Sequence, residues 1–322
     1  MRYYFAPMEG LTGYLFRQAH AKYFPGVDRY FMPFYSPSQE HSFTRRAFQD
    51  LLPEHNDGLD AVPQLLTRRA EDFLWAAERL AGLGYGEVNL NLGCPSGTVT
   101  AKGKGAGFLA HPDELRRFLD EAFSRCPISI SVKTRLGMSD PDEFPALLDI
   151  YNQYPIRELT IHPRVRSDFY KGRVRLGDFA AALPRSKNPV CYNGDVTTTA
   201  RFRALTERFP SVEAVMLGRG LVSNPALARQ LQGGPGADRT TLRTFHDTLY
   251  EGYASAFSSR RNASLRMKEL WFYLIHLFAD SDRHLKRLRK AADAQEFEQA
   301  AAAVFQDLPL LEELPEDWQA TE

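Results

Sequence analysis

The sequence predicts an α/β protein: a TIM (β/α)8 barrel over residues 1–235, followed by a small all-helical domain over residues 240–322. Three observations predict it. Eight short apolar or alternating runs recur before residue 235, and most are followed by a stretch with helical spacing. Parallel strands need helical crossovers, and a closed barrel of eight such units takes about 250 residues. After Gly233-Gly234-Pro235-Gly236 the strand-like runs stop and only helical periodicity continues, so the glycine-proline cluster marks a boundary. A doubly wound open sheet is the alternative.

The expected strands are YYFAPM (3–8), RYFMP (29–33), AVPQLL (61–66), EVNLNLG (87–93), SISVKTR (129–135), ELTIHPR (158–164), PVCYNGD (189–195) and AVMLGRG (214–220). Between them, 69–84 and 111–126 return leucine, alanine and phenylalanine at three and four residues, with Pro112 at a start and Gly82 or Gly84 at an end. Beyond 240, TLRTFHDTLYEGYASAF, LRMKELWFYLIHLFAD and EFEQAAAAVF read as helices, with Trp271, Phe272, Tyr273 and Phe278 as core.

Composition places the chain among ordinary globular proteins, 43% hydrophobic and 25% charged over 322 residues. MRYYFAPMEG has no apolar signal-peptide core and no long apolar run follows, so the expectation is a cytoplasmic monomer without a membrane. Cys94, Cys126 and Cys191 are too few for a disulfide framework, and no CxxC or CxxH spacing indicates a metal site. Cys126 and Cys191 are expected to pack as small apolar residues.

In a parallel barrel the C-terminal ends of the strands share one rim, where active sites form. Gln64, Asn91, Cys94, Lys133, Arg135, His162, Arg164, Asn193-Gly194-Asp195 and Gly218-Arg219-Gly220 all fall there. An isolated charge such as Lys133 is costly to bury and needs a partner in the mouth. Glycines after strands seven and eight let backbone amides approach an anion, where barrels commonly hold a phosphate. GTVTAKGKGAG, after Cys94, lacks Walker spacing and reads as a mobile loop that offers Lys102 and Lys104 to phosphates.

APMEGLTGYLFR (6–17), NLGCPSGTV (91–99), VKTRLG (132–137), LTIHPR (159–164), YNGD (192–195) and VMLGRGLVSNP (215–225) together resemble the flavin-dependent tRNA-dihydrouridine synthases. The resemblance spans the barrel and extends into the helical region through LRMKELWFYL (265–274). The chain departs from that pattern at Pro163, where members have glycine; proline fixes φ and removes an N–H.

The resemblance implies FMN as cofactor, NADPH or NADH as reductant and tRNA as partner, with hydride passing to uracil carbon 6 and a proton from Cys94 to carbon 5. A thiol with a reference pKa near 8.5 suits that role, being protonated at neutral pH yet acidic enough to give its proton up. Pro7, Met8 and Glu9 would border the flavin ring. Gln64 and Lys133 would meet its polar edge and ribityl chain, and His162 its ring or phosphate. Asn193, Gly194, Asp195, Gly218 and Arg219 would hold the phosphate end, Asp195 through its backbone. Asn91 would bond the substrate or the flavin edge, with Arg135 and Arg164 as outer contacts.

The net charge of zero conceals an asymmetry. Residues 260–290 carry nine Lys or Arg against three acids, whereas 294–322 carry eight acids and no base. The helical domain is therefore expected to present a phosphate-binding face that includes Arg266, Lys268, Arg287 and Arg289. The alternatives are ribosomal RNA as substrate, an FMN oxidoreductase acting on a small molecule, and an RNA-binding barrel without catalysis.

Overall fold

The structure, a computed structural model, describes residues 1–38 and 40–318. Eight parallel strands close into one barrel in chain order: β1 (Arg2–Phe5), β2 (Arg29–Tyr35), β3 (Ala61–Leu65), β4 (Glu87–Leu92), β5 (Ser129–Arg135), β6 (Leu159–His162), β7 (Val190–Asn193) and β8 (Ala214–Leu217). β8 closes on β1 from Arg2↔Ala214 to Phe5↔Leu217. The closed order rules out the open sheet.

Every expected strand is present, but β1, β6, β7 and β8 stop two or three residues early. In β6 and β7, Pro163 and Gly194 follow the last residue and turn the chain over the rim, where a ladder cannot continue. β2 instead runs two residues further, through Pro33. Its register against β3 shifts between Phe31 and Phe34, because a residue without N–H leaves a gap in the ladder.

Strand alternation divides the side chains into two layers. In β4, Val88, Leu90 and Leu92 join the main apolar cluster under the helices, while Glu87, Asn89 and Asn91 take the alternate positions. A small separate cluster contains Tyr4, Ala6, Phe31, Val62, Cys191, Ala214 and Met216. At the strand N-termini, buried Glu87 pairs with Arg29 (2.8 Å) and Arg157 (2.7 Å), and Glu158 pairs with Arg2 (3.2 Å) and accepts from the Tyr4 hydroxyl (3.0 Å). Paired in this way, the carboxylates close that end of the barrel.

Beyond residue 236, the described residues form four α-helices: Arg239–Phe257, Arg260–Leu274, Asp282–Lys290 and Ala294–Asp307. Asp238, Ser259 and Asp293 cap three of them through their side chains. Phe245 packs edge-on against Phe16 and Phe24 of the barrel's outer layer, so one apolar cluster runs from barrel to helices. Trp271 Nε1–H donates to His246 Nε2, which fixes the remaining imidazole proton on Nδ1, beside Asp247. The acidic segment beyond 307 returns to the barrel, where Glu313 accepts from the Thr199 amide and hydroxyl. Residues 319–322, the last of the expected helical domain, lie outside the described residues. Among the described residues, no helix is long and apolar enough to cross a membrane.

Candidate active site

A cavity of about 820 Å³ opens at the C-terminal ends of the strands. Cys94, Asn91, Pro7, Met8, Glu9, Gln64, Lys133, Arg135, His162, Asn193, Gly194, Asp195, Gly218 and Arg219 all line it. Strand geometry explains the convergence: Asn91 and Lys133 are ladder partners across β4 and β5, and Arg135 and His162 across β5 and β6.

Cys94 lies on the turn that leaves β4. Asn91 Oδ1 accepts from the backbone N–H of Gly93 (3.0 Å) and of Cys94 (2.9 Å), which holds that turn. Arg135 Nε donates to the Gly93 carbonyl (2.8 Å), and Arg166 Nε to the Pro95 carbonyl (3.2 Å). The glycine-rich segment expected to be mobile is folded here into a helical turn at Gly97–Thr100 and a 3₁₀ turn at Gly105–Ala110. Gly105 has φ +58°, and a Cβ there would sit 2.9 Å from the Cys94 carbonyl oxygen, so only glycine permits the fold-back.

Burial pushes the Cys94 thiol above its ordinary pKa, with Arg135 and Lys133 pulling the other way. Lys133 is exposed only partly and is pushed down to about 8, first by burial and then by Arg135. Burial, reinforced by Arg135, Lys133, Arg164 and Arg219, holds His162 well below the usual imidazole range. Arg164 Nη1 donates to His162 Nε2 (3.0 Å), so the neutral ring carries its proton on Nδ1.

Arg164 does not line the cavity. It is buried and spends its guanidinium on His162, Asp195 and the Lys171 and Gly172 carbonyls. The expectation of an outer substrate contact there gives way to one of loop anchoring. Pro163 is accommodated in the same turn, with Arg175 N–H donating to its carbonyl (2.8 Å). Asp195, with φ +48°, sits between Arg164 (2.6 Å) and Arg219 (2.9 Å), which neutralise its carboxylate. Asn193 Nδ2 braces the rim by donating to the Met216 carbonyl (2.8 Å).

Lys102 is exposed and Lys104 part-buried near Asp72, and neither lines the cavity. Two of the four expected phosphate contacts on the helices are engaged inside the protein. Arg266 donates to the Gly10 carbonyl and pairs with Glu269 (2.7 Å), and Lys268 donates to the Ala291 carbonyl (2.5 Å). Arg287 and Arg289 are exposed. Sequence reasoning missed Phe169 and Tyr170, exposed aromatics in the cavity wall; the Arg135 and Arg219 guanidiniums lie 5.2 and 5.5 Å from the Tyr170 ring. Tyr273, expected in the helical core, also reaches the cavity. Nothing in local periodicity separates it from Trp271 and Phe278.

A closed parallel barrel whose mouth gathers a thiol, a lysine and glycines of the rim in one cavity defines a barrel enzyme with its site at the strand C-termini. Residues 4–319 match the family model described as dihydrouridine synthase (Dus). The chain belongs to that family. It is 29% identical over 301 residues to the tRNA-dihydrouridine(16) synthase of Pseudomonas putida (strain KT2440), covering 89% of this chain and 92% of that one. It is 27% identical over 232 residues to tRNA-dihydrouridine synthase B of Pasteurella multocida (strain Pm70), covering 72% and 69%. Among solved structures, morphinone reductase shares the fold at a TM-score of 0.54 and 13% identity, over 74% of this chain and 88% of that one.

Proposed function

We propose that this chain reduces uridines in tRNA to 5,6-dihydrouridine, with FMN in the barrel mouth, NADPH or NADH as reductant and Cys94 as proton donor. Family membership supports the reaction class. The observation that supports the roles is that Cys94 and Lys133 line one cavity. The cavity suits FMN on its own chemistry. Its volume falls within the roughly 300–1,000 Å³ of ligand pockets, and Lys133 supplies a cation where a reduced ring would carry negative charge. Gly194 has φ +154°, and a Cβ there would lie 2.8 Å from Val174, so this stretch of rim presents bare backbone.

The backbone N–H groups of Gly194, Asp195, Gly218 and Arg219 would hold the phosphate, while Pro7, Met8 and Glu9 border the ring and Gln64 and Lys133 meet its polar edge. The chemistry that bound FMN would supply is hydride transfer, from the nicotinamide to uracil carbon 6. Cys94 keeps its proton at neutral pH because burial raises its pKa, and it delivers that proton from Sγ to carbon 5. Arg135 and Lys133 then face the thiolate that remains. Tyr273 and the arginines at 287 and 289 support a reading in which the helical part, 240–322, carries the RNA against the mouth.

The test is tRNA from a strain lacking this gene, mapped for dihydrouridine by mass spectrometry, with purified protein added back in vitro. Loss at defined positions, restored by the protein, is the expected result. An unchanged map would refute the reading.

A further inference from the structure

Three strands bring four buried polar side chains side by side. Gln64 pairs with Asn89 across β3 and β4, and Asn89 with Ser131 across β4 and β5. Asn91 stands one layer nearer the mouth. Asn91 Nδ2 donates to Gln64 Oε1 (2.7 Å), Gln64 Nε2 to Asn89 Oδ1 (2.8 Å), and Asn89 Nδ2 to Ser131 Oγ (2.8 Å). Every link points the same way, away from Cys94.

The backbone sets that sense. Asn91 Oδ1 faces the amides of Gly93 and Cys94, which are donors and cannot be reversed. With its carbonyl so committed, Asn91 must turn its NH₂ toward Gln64, which must then offer oxygen there and its own NH₂ to Asn89. Asn89 must do the same toward Ser131. No single amide can rotate without setting two donors or two acceptors face to face, and all four residues are buried. Ser131 Oγ is the acceptor that completes the chain. Without it, the backbone still sets the sense, but the Asn89 amide is left with a buried hydrogen that has no acceptor, and the shift that relieves it passes through Gln64 to Asn91, which holds the Cys94 turn.

We infer that Asn89 and Ser131, which do not line the cavity, are positioning residues for Cys94 through this one-way amide chain. The inference rests on the proton-donor reading of Cys94. It also fixes what the two cavity amides have left to offer a ligand. Asn91 keeps one hydrogen and no lone pair, whereas Gln64 keeps one of each.

The test compares Ser131→Ala, which removes a single oxygen, with Ser131→Thr, which keeps the hydroxyl, and with Asn89→Leu, which breaks the chain at its centre. Iodoacetamide alkylation of Cys94, followed by peptide mass spectrometry, needs neither RNA nor cofactor, and part-buried Cys126 serves as the internal control. Ser131→Ala and Asn89→Leu are expected to change the Cys94 rate several-fold with Cys126 unchanged, and Ser131→Thr to match wild type. In turnover, kcat should fall about tenfold with the KM for tRNA unchanged, as for a slightly misplaced reacting group. Equal Cys94-to-Cys126 ratios in wild type and Ser131→Ala would overturn the inference, even if Asn89→Leu fails to fold. Should wild type form no dihydrouridine, the functional reading fails by itself, and the alkylation ratio still decides the relay.

Discussion

Arg164 holds Asp195 with two parallel N–H···O bonds, 3.1 and 2.6 Å long, beneath the rim that joins β7 to the cavity. Arg164 is buried, whereas Asp195 is part-exposed and keeps Arg219, so removing the guanidinium chiefly leaves the Lys171 and Gly172 carbonyls without their donor. Arg164→Met is expected to destabilise the protein by about 2 kcal/mol. It should also lower flavin content, since the Asp195 turn would be held by Arg219 alone. Arg164→Lys should not rescue it, because an ammonium cannot serve His162, Asp195 and two carbonyls in one plane. Urea midpoints and the visible absorbance of the purified variants check this.

On the proposed function, Cys94→Ala should leave flavin content and nicotinamide oxidation near wild type, while dihydrouridine formation falls by about 10²- to 10⁴-fold, the usual worth of a general acid. Single-turnover assays on tRNA measure it. Wild-type turnover would make Cys94 a packing residue.

Much of this was legible in the sequence. The eight strands could be read because each alternates or runs apolar between turn residues, and the rim residues because strand ends in a closed barrel share one face. Side-chain engagement could not be read. Arg164, Arg266 and Lys268 are indistinguishable in sequence from surface cations, yet each is committed to backbone carbonyls, Arg164 to those of the loop that follows it, and Arg266 and Lys268 to those of Gly10 and Ala291, which only the fold brings near. Tyr170 and Tyr273 were missed for the same reason, since only the fold brings them to the mouth.

The proposed RNA face narrows accordingly. Arg287→Glu with Arg289→Glu should weaken tRNA binding and reduce the slope of log affinity against log salt by roughly 0.7 to 0.9 per lost phosphate contact, with flavin content unchanged. Reversing Arg266 or Lys268 should instead lower the melting temperature. A salt titration alongside thermal melts separates the two, and an unaltered slope in the double variant would place the RNA elsewhere.

Lys133 gives the flavin-free protein a distinctive pH response. Its folded pKa, about 8, lies below the unfolded value near 10.4. Between those values the unfolded chain binds a proton that the folded chain does not, so folding stability rises with pH across that window. Below pH 8 the cost of burying the ammonium is present in full. Urea midpoints measured from pH 7.5 to 10 should therefore climb in wild type relative to Lys133→Met. Parallel curves would show that the lysine is solvated.

Tyr273 reaches the barrel cavity from a helix that begins at Arg260, and Phe245 is wedged against Phe16 and Phe24. The C-terminal region is therefore no interchangeable module. A chimera that grafts this region from a relative with different site preference would import part of the cavity wall along with the proposed RNA surface. Position choice and turnover would then be inherited together, and swapping one without the other requires that Tyr273 and its barrel neighbours travel as a unit.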